Sequence, residues 1–265
     1  MAYWDGKVVL ITGGSAGFGK ALAIAFAQHG ARVVITGRDE ARLSAAVAEI
    51  GAQATGIAAD VRRDDQVQHL FSRTISELGR LDVLVNNVGQ SARGAVAETS
   101  AVQFQELIEL NFLTAVRCTQ AALPHLVTTR GHLIFMGSLA SKVASPFLGA
   151  YPASKFPLAA YAQQLRLETG TQGLHTLLVC PGPIRRDDEG TRYDHQSTGL
   201  PDAARRPGGG VRLKGIEPER LAQRVLKACE SRQSELVIPS SARWLAAISQ
   251  IWPTIGDWII RRMTR

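Results

Sequence analysis

Short apolar runs alternate with amphipathic stretches along most of the chain. Residues 7–12 (KVVLIT), 32–36 (RVVIT), 54–58, 81–85 (LDVLV), 132–136 (HLIFM), 174–180 and 235–239 (ELVIP) form the apolar runs. Val, Ile and Leu dominate them without strict apolar–polar alternation, the pattern of strands buried on both faces. Between them, helical periodicity runs through residues 20–30, 40–50, 64–78, 101–127, 151–169 and 217–230, with Pro124 expected to interrupt the long helix at 101–127. Strands alternating with helices predict an α/β fold, a parallel sheet covered on both sides. In such sheets ligands bind at the carboxyl ends of the strands.

The first strand runs into Gly13-Gly14-Ser15-Ala16-Gly17-Phe18-Gly19 and then a helix. A glycine-rich turn opening a helix exposes backbone amides and the positive end of the helix dipole to an anion, and its glycines let the chain approach a pyrophosphate closely. The second strand ends in Gly37-Arg38. An acidic residue there would bind the ribose 2′-hydroxyl of NAD, whereas Arg38, with Arg42 one turn on, suits the 2′-phosphate of NADP. Asp60 and Val61 follow the third strand, where Asp60 either meets an adenine amino group or caps a turn; Asn86-Asn87-Val88-Gly89 follows the fourth.

The fifth strand leads into GSLASKVASPFLGAYPASK, which holds Ser138, Tyr151 and Lys155. Four residues apart on a helix, Tyr151 and Lys155 share one face. An ammonium beside a phenol favours the phenolate and is expected to lower the tyrosine pKa from about 10. Such a tyrosine exchanges protons with an alcohol or carbonyl oxygen near neutral pH, and Ser138 supplies a second hydrogen bond to that oxygen.

With these motifs in order, the chain resembles the short-chain dehydrogenase/reductases over residues 6–240: T-G-x-x-x-G-x-G at Thr12–Gly19, N-N-x-G at Asn86–Gly89, Asn111, Ser138, Y-x-x-x-K at Tyr151–Lys155, and P-G at Pro181-Gly182. The resemblance implies a doubly wound Rossmann fold of about seven parallel strands in residues 1–239. It also implies a catalytic set of Asn111, Ser138, Tyr151 and Lys155, in which Asn111 holds a water of the proton relay and Lys155 also binds the nicotinamide ribose. The implied cofactor is NADP(H), contacted by Gly13, Ser15, Gly17, Phe18, Gly19, Arg38, Asp60, Val61, Asn87, Gly89, Tyr151, Lys155, Pro181, Gly182 and Ile184. The implied reaction interconverts a ketone or aldehyde and an alcohol in a homodimer or homotetramer; the rival is a cofactor-binding scaffold or redox sensor without turnover. Arg186 stands where many members carry a threonine, and either reaches a phosphate or marks a loop that sits differently. Pro157 falls inside the helix of Lys155, where a kink is expected.

Composition narrows the remaining classes. Three scattered cysteines among 265 residues make a disulfide framework or zinc site unexpected and a reducing, cytoplasmic setting the default. The N-terminus enters a strand at once, so no signal peptide is expected. The net charge of +7 is spread out, with no basic helix interleaved with aromatics, so nucleic acid is not an expected partner. Residues 185–215 lack hydrophobic period and are expected to form a substrate lid, with Tyr193 and His195 given no role in the site. Residues 240–265 carry three of the four tryptophans, and Trp244, Ile248, Ile251, Ile255, Trp258 and Ile259 are expected on one stripe divided by Pro253. Packing of that stripe on protein is the first expectation, peripheral membrane contact the alternative. The aromatic tail tilts the expected substrate towards an apolar or lipid-like one.

Overall fold

Seven apolar runs become the parallel strands β1 (Val8–Thr12), β2 (Arg32–Gly37), β3 (Ala54–Ala58), β4 (Val83–Asn86), β5 (His132–Met136), β6 (His175–Pro181) and β7 (Glu235–Ile238). The structure is a computed structural model and describes residues 2–186, 193–211 and 213–264. Across the sheet the order is β3-β2-β1-β4-β5-β6-β7. The order reverses between β1 and β4, which opens a crevice at their carboxyl ends.

Successive residues of each strand serve opposite cores, which is why the runs are apolar throughout. Val9, Ile11, Val33, Ile35, Val83 and Val85 face one side and pack on α1 (Gly17–Gln28), α2 (Glu40–Ile50) and α7 (Pro218–Glu230). Val8, Leu10, Val34, Leu84, Leu133 and Phe135 face the other, against α3 (Asp64–Leu78), α5 (Thr114–Thr129) and α6 (Tyr151–Thr169). The sheet is thus doubly wound, as expected.

Three expectations change. The long helix does not break at Pro124, which lies within α5; it departs from α geometry earlier, where α4 (Ala101–Ile108) joins α5 through a π-helical turn, Glu109–Leu113, carrying Asn111. Helix α6 runs from Tyr151 to Thr169 with Pro157 inside it. The proposed lid is not structureless: Asp194–Gln196, Asp202–Arg205 and Pro207–Gly210 form short 3-10 turns, while residues 187–192 and 212 of that segment lie outside the described residues. Finally, the tail folds as a hairpin of α8 (Ala242–Ile251) and α9 (Pro253–Met263). Its expected single stripe splits: Ile248 and Ile259 turn inward to line a cavity, whereas Trp244, Ile251, Trp252, Ile255 and Trp258 are exposed. Trp252 and Pro253 interrupt the hairpin between the helices, so the phase of α8 is not carried into α9. Arg265 lies outside the described residues. Among the described residues no helix is long and apolar enough to cross a membrane.

Candidate active site

The glycine turn is fixed by close contacts that side chains would block. Gly13 and Gly17 have φ of +63° and +51°, and a Cβ on Gly19 would lie 2.3 Å from the Gly13 carbonyl oxygen. Thr12 Oγ1 accepts from the amides of Asn87 (3.0 Å) and Val88 (3.2 Å). Asn87 Nδ2 donates to the carbonyls of Thr12 (3.0 Å) and Gly13 (3.2 Å). Asn87 therefore borders the cavity, but its amide is spent holding the turn. The N-cap of α1 is Ala16, which offers no side chain to the first-turn amides, whereas Asp39 of α2 and Ser100 of α4 cap theirs. The uncapped amides are what a phosphate needs.

One cavity of about 1160 Å³ runs from this turn to the catalytic candidates and is bordered by Gly13, Ser15, Gly17, Phe18, Gly19, Arg38, Asp60, Val61, Asn87, Gly89, Ser138, Tyr151, Lys155, Pro181, Gly182 and Ile184. Arg38 and Arg42 both border it, and Arg42 Nε lies 3.3 Å from an Asp39 carboxylate oxygen. A Cβ on Gly37 would come 2.8 Å from Ser15 Oγ, which brings the end of β2 against the turn. Asp60 caps its own turn through the Arg62 amide (3.1 Å) and pairs with the Arg62 guanidinium; this hydrogen bonding, Arg62's side chain first, lowers its carboxyl pKa. Arg186 faces Gly17, with Nη1 3.5 Å from where a Cβ would sit.

Strand β5 delivers Ser138, whose Oγ accepts from the Ala140 amide at 3.1 Å, and α6 delivers Tyr151 and Lys155. The Ser138 side chain stands near enough to Tyr151 to influence its titration. The expected lowering of the tyrosine pKa is overturned: burial raises it, with Ser138 and then Arg93 pulling the other way. Lys155 stands one helical turn from Tyr151 on α6. Its Nζ donates to the Met136 carbonyl at 2.8 Å, and burial takes its pKa down to about 8. For both groups the loss of water on burial is the largest cause of the shift.

Asn111 is 1% exposed, and its side-chain atoms are hydrogen-bonded within the protein. Nδ2 donates to the Gln90 carbonyl (2.9 Å) and Ser154 Oγ (2.8 Å), while Oδ1 accepts from the Gln90 amide (2.7 Å). Ser154 in turn donates to the Tyr151 carbonyl at 2.7 Å. Asn111 thus ties the loop after β4 to the first turn of α6. A Cβ on Gly89 would lie 2.8 Å from Asn111 Oδ1 and 3.1 Å from Lys155 Nζ, so this approach needs glycine.

Sequence reasoning missed Ser154, Gln90 and Arg93, and left Tyr193 out. Ser154 was legible in principle, three residues after Tyr151 and hence on its face of the helix. Arg93 was not. It is 7% exposed, donates to the carbonyls of Ala204 (2.7 Å) and Arg206 (3.1 Å), and lies 3.6 Å from the centre of the Tyr193 ring. It thereby anchors the segment whose Tyr193, Arg205, Gly208 and Val211 border the cavity. Among the described residues one group has metal-ligand spacing, His132, His175 and Cys229, whose ligand atoms lie within 4.8 Å of one another. It sits at the amino ends of β5 and β6, opposite the cavity.

A phosphate-ready turn and a Ser–Tyr–Lys cluster sharing one crevice of a doubly wound sheet define a dinucleotide-dependent oxidoreductase. Residues 7–196 match the short chain dehydrogenase family. The chain is 31% identical over 270 residues to dehydrogenase/reductase SDR family member 7B of Danio rerio, covering 94% of this chain and 82% of that protein. It is 38% identical over 182 residues to L-fucose dehydrogenase of Bos taurus, covering 68% and 67%. A short chain dehydrogenase/reductase from Burkholderia phymatum, solved in complex with NAD, shares the fold with a TM-score of 0.83 at 24% identity over 96% of both chains. The chain belongs to the short-chain dehydrogenase/reductase family, oxidoreductases that use a nicotinamide cofactor on small-molecule substrates and are often oligomeric.

Proposed function

We propose that the protein is an NADP(H)-dependent reductase of ketones or aldehydes, running in reverse as an alcohol dehydrogenase, with Tyr151 as general acid/base. The observation that carries this reading is the continuity of one cavity from Arg38, through the uncapped turn of α1, to Tyr151 and Lys155. The residues present fit a dinucleotide: Gly13, Gly17 and Gly19 give its pyrophosphate a cradle that any Cβ would fill, with Arg186 facing the turn. Arg38 and Arg42 offer the 2′-phosphate charge-assisted hydrogen bonds, and no acidic side chain occupies the Arg38 position to favour a 2′-hydroxyl. When bound, the reduced nicotinamide supplies the hydride.

This chain's own residues supply the proton and the geometry. The raised pKa of Tyr151 keeps its hydroxyl protonated at neutral pH, which suits a donor to a carbonyl oxygen becoming an alcohol. Ser138 gives that oxygen a second hydrogen bond and orients it against Tyr151. Lys155 keeps a cation one helical turn away, and this stabilises the phenolate left on Tyr151 after its proton has gone. Asn111 holds Gln90 and Ser154, and through Ser154 the backbone of Tyr151 itself. The substrate end is apolar, bordered by Leu139, Val143, Leu148, Leu213, Leu245 and Ile248. That lining supports a hydrophobic carbonyl compound over a sugar.

Loss of NADPH absorbance against a panel of carbonyl compounds tests the reading. Turnover is expected with apolar ketones or aldehydes, and Tyr151→Phe should lower it by about 10²–10⁴ while NADPH still binds. Tight NADPH binding with no turnover across the panel would instead point to a silent scaffold.

A further inference from the structure

The α8–α9 hairpin presents two apolar faces, and only one has a partner within the chain. The helices cross at Gly256, where a Cβ would lie 2.5 Å from Ser249 Oγ, so the pair packs as one close unit. Leu245, Ile248, Ile259 and Ile260 turn inward and border the cavity. On the other side Trp244 is 76% exposed, Ile251 63%, Trp252 56%, Ile255 49% and Trp258 59%. Large apolar side chains scatter singly over the surface of a soluble monomer; five of them exposed on one two-helix hairpin mark a docking face.

The charge around this face selects the occupant. Arg261 and Arg262 are exposed on α9, against a single acid in the hairpin, Asp257, while Arg243 of α8 turns back to the Glu235 carbonyl at 2.8 Å. The Arg262 guanidinium lies 5.5 Å from the centre of the Trp258 ring, so cation and aromatic are presented together. A second copy of the chain seated on the same face would bring arginines towards arginines across a two-fold axis, with only Asp257 to answer them. A surface carrying dispersed negative charge over an apolar layer answers both features. Tryptophan rings belong at that boundary, and arginine stems bury their methylenes there while the heads stay in water. Neither helix is long enough to span a bilayer, so the hairpin can only lie along one.

We propose that α8 and α9 dock on an anionic lipid bilayer, lying in its interface with Trp244, Trp252 and Trp258 at headgroup depth. Docked in this way, the hairpin has its outer face in lipid and its inner face on the cavity. Met263, 38% exposed and bordering the cavity, stands at the junction. A hydrophobic carbonyl compound dissolved in the membrane then reaches the cavity along the hairpin without crossing water. This last step rests on the reductase reading, while the docking does not.

Co-sedimentation with vesicles, run without cofactor or substrate, tests the docking. The full chain should sediment with phosphatidylcholine vesicles containing phosphatidylglycerol, far less with phosphatidylcholine alone, and its tryptophan emission should shift to the blue on binding. Replacing Trp244 and Trp258 by Ser should weaken binding by roughly tenfold per residue, in proportion to the apolar surface withheld from lipid. Replacing Arg261 and Arg262 by Ala should cost roughly fivefold each and flatten the dependence on salt. Circular dichroism and thermal unfolding of the variants should match the parent, because none of these four side chains is buried. Absence of vesicle binding at low salt would overturn the proposal. So would a stable dimer in light scattering that the Trp244→Ser, Trp258→Ser double variant dissociates while the parent ignores vesicles. Since no turnover is read, failure of the reductase reading would leave this result standing.

Discussion

Acid should destabilise this fold through a pair of histidines far from the cavity. His132 and His175 are 2% and 5% exposed and stand opposite one another at the starts of β5 and β6. His175 Nε2 lies 2.7 Å from the Gln233 carbonyl, which only accepts, so this nitrogen carries the hydrogen and Nδ1 is left as an acceptor. His132 Nδ1, 2.8 Å from His175 Nδ1, must then be the donor, and its Nε2 accepts from the Tyr3 hydroxyl at 2.8 Å. Every ring nitrogen is satisfied only while both rings are neutral. Burial first, then the positive charge of His175, Arg232 and Lys7, takes the His132 pKa from 6.5 to about 3, and burial lowers that of His175 too. Because both folded values lie below the unfolded ones, the unfolded chain binds more protons, and stability that is complete above about pH 6.5 is lost as pH falls. Between about pH 6.5 and 4.5, His132 alone accounts for ~2 kcal/mol, that is two units at ~1.4 kcal/mol each less the part already lost at pH 6.5, where half of the unfolded chains carry the proton. Urea unfolding at the two pH values measures it. His132→Asn should start less stable yet lose ~2 kcal/mol less on acidification, since carboxylate terms common to both proteins cancel in the difference. Equal losses in the two proteins would refute the reasoning.

Two further outcomes concern the cavity. Arg38→Ala should remove most of a preference for NADPH over NADH, about ten- to hundredfold if the 2′-phosphate takes one charged hydrogen bond, and should leave NADH affinity nearly unchanged; equal affinities in the parent, measured by fluorescence titration, would refute the assignment. Arg93→Ala removes the side chain that holds the carbonyls of Ala204 and Arg206 and stacks on Tyr193. Cleavage within residues 193–206 under limited proteolysis should quicken by roughly tenfold or more as two charged hydrogen bonds are lost, and KM should rise more than kcat falls. An unchanged cleavage rate would show that the lid is held elsewhere.

The strands were legible because burial on both faces leaves no room for polar residues, so each run stands out without any periodicity. The glycine turn was legible for a local reason: Gly13 is demanded by its own positive φ, and Gly19 by the Gly13 carbonyl six residues earlier. Arg93 was hidden because its partners are main-chain carbonyls more than a hundred residues on, and no spacing encodes such a contact. The histidine pair was hidden in the register of β5 on β6. The sign of the Tyr151 shift was misread because spacing puts Lys155 on the same face but says nothing of Nζ, which turns to Met136, or of how much water both groups give up. The tail was misread for want of phase: Ile248 and Ile251 sit three residues apart in α8, yet one faces the cavity and the other solvent.

The π-helical turn at Glu109–Leu113 carries one further consequence. Such a turn is an α-helix that has taken in one extra residue. Deleting any one of the five would let α4 and α5 close into an uninterrupted helix, with its hydrogen-bond ladder intact. The residue removed is the one the wide turn had absorbed, so α4 and α5 would keep the faces they present while the turn between them, which carries Asn111, narrowed. Asn111 would then leave Gln90 and Ser154, while the sheet, both cores and the glycine turn stayed in place. In this stretch the number of residues is itself information. A lineage could lose the chemistry here through a single-codon deletion that protein yield and melting temperature would scarcely register.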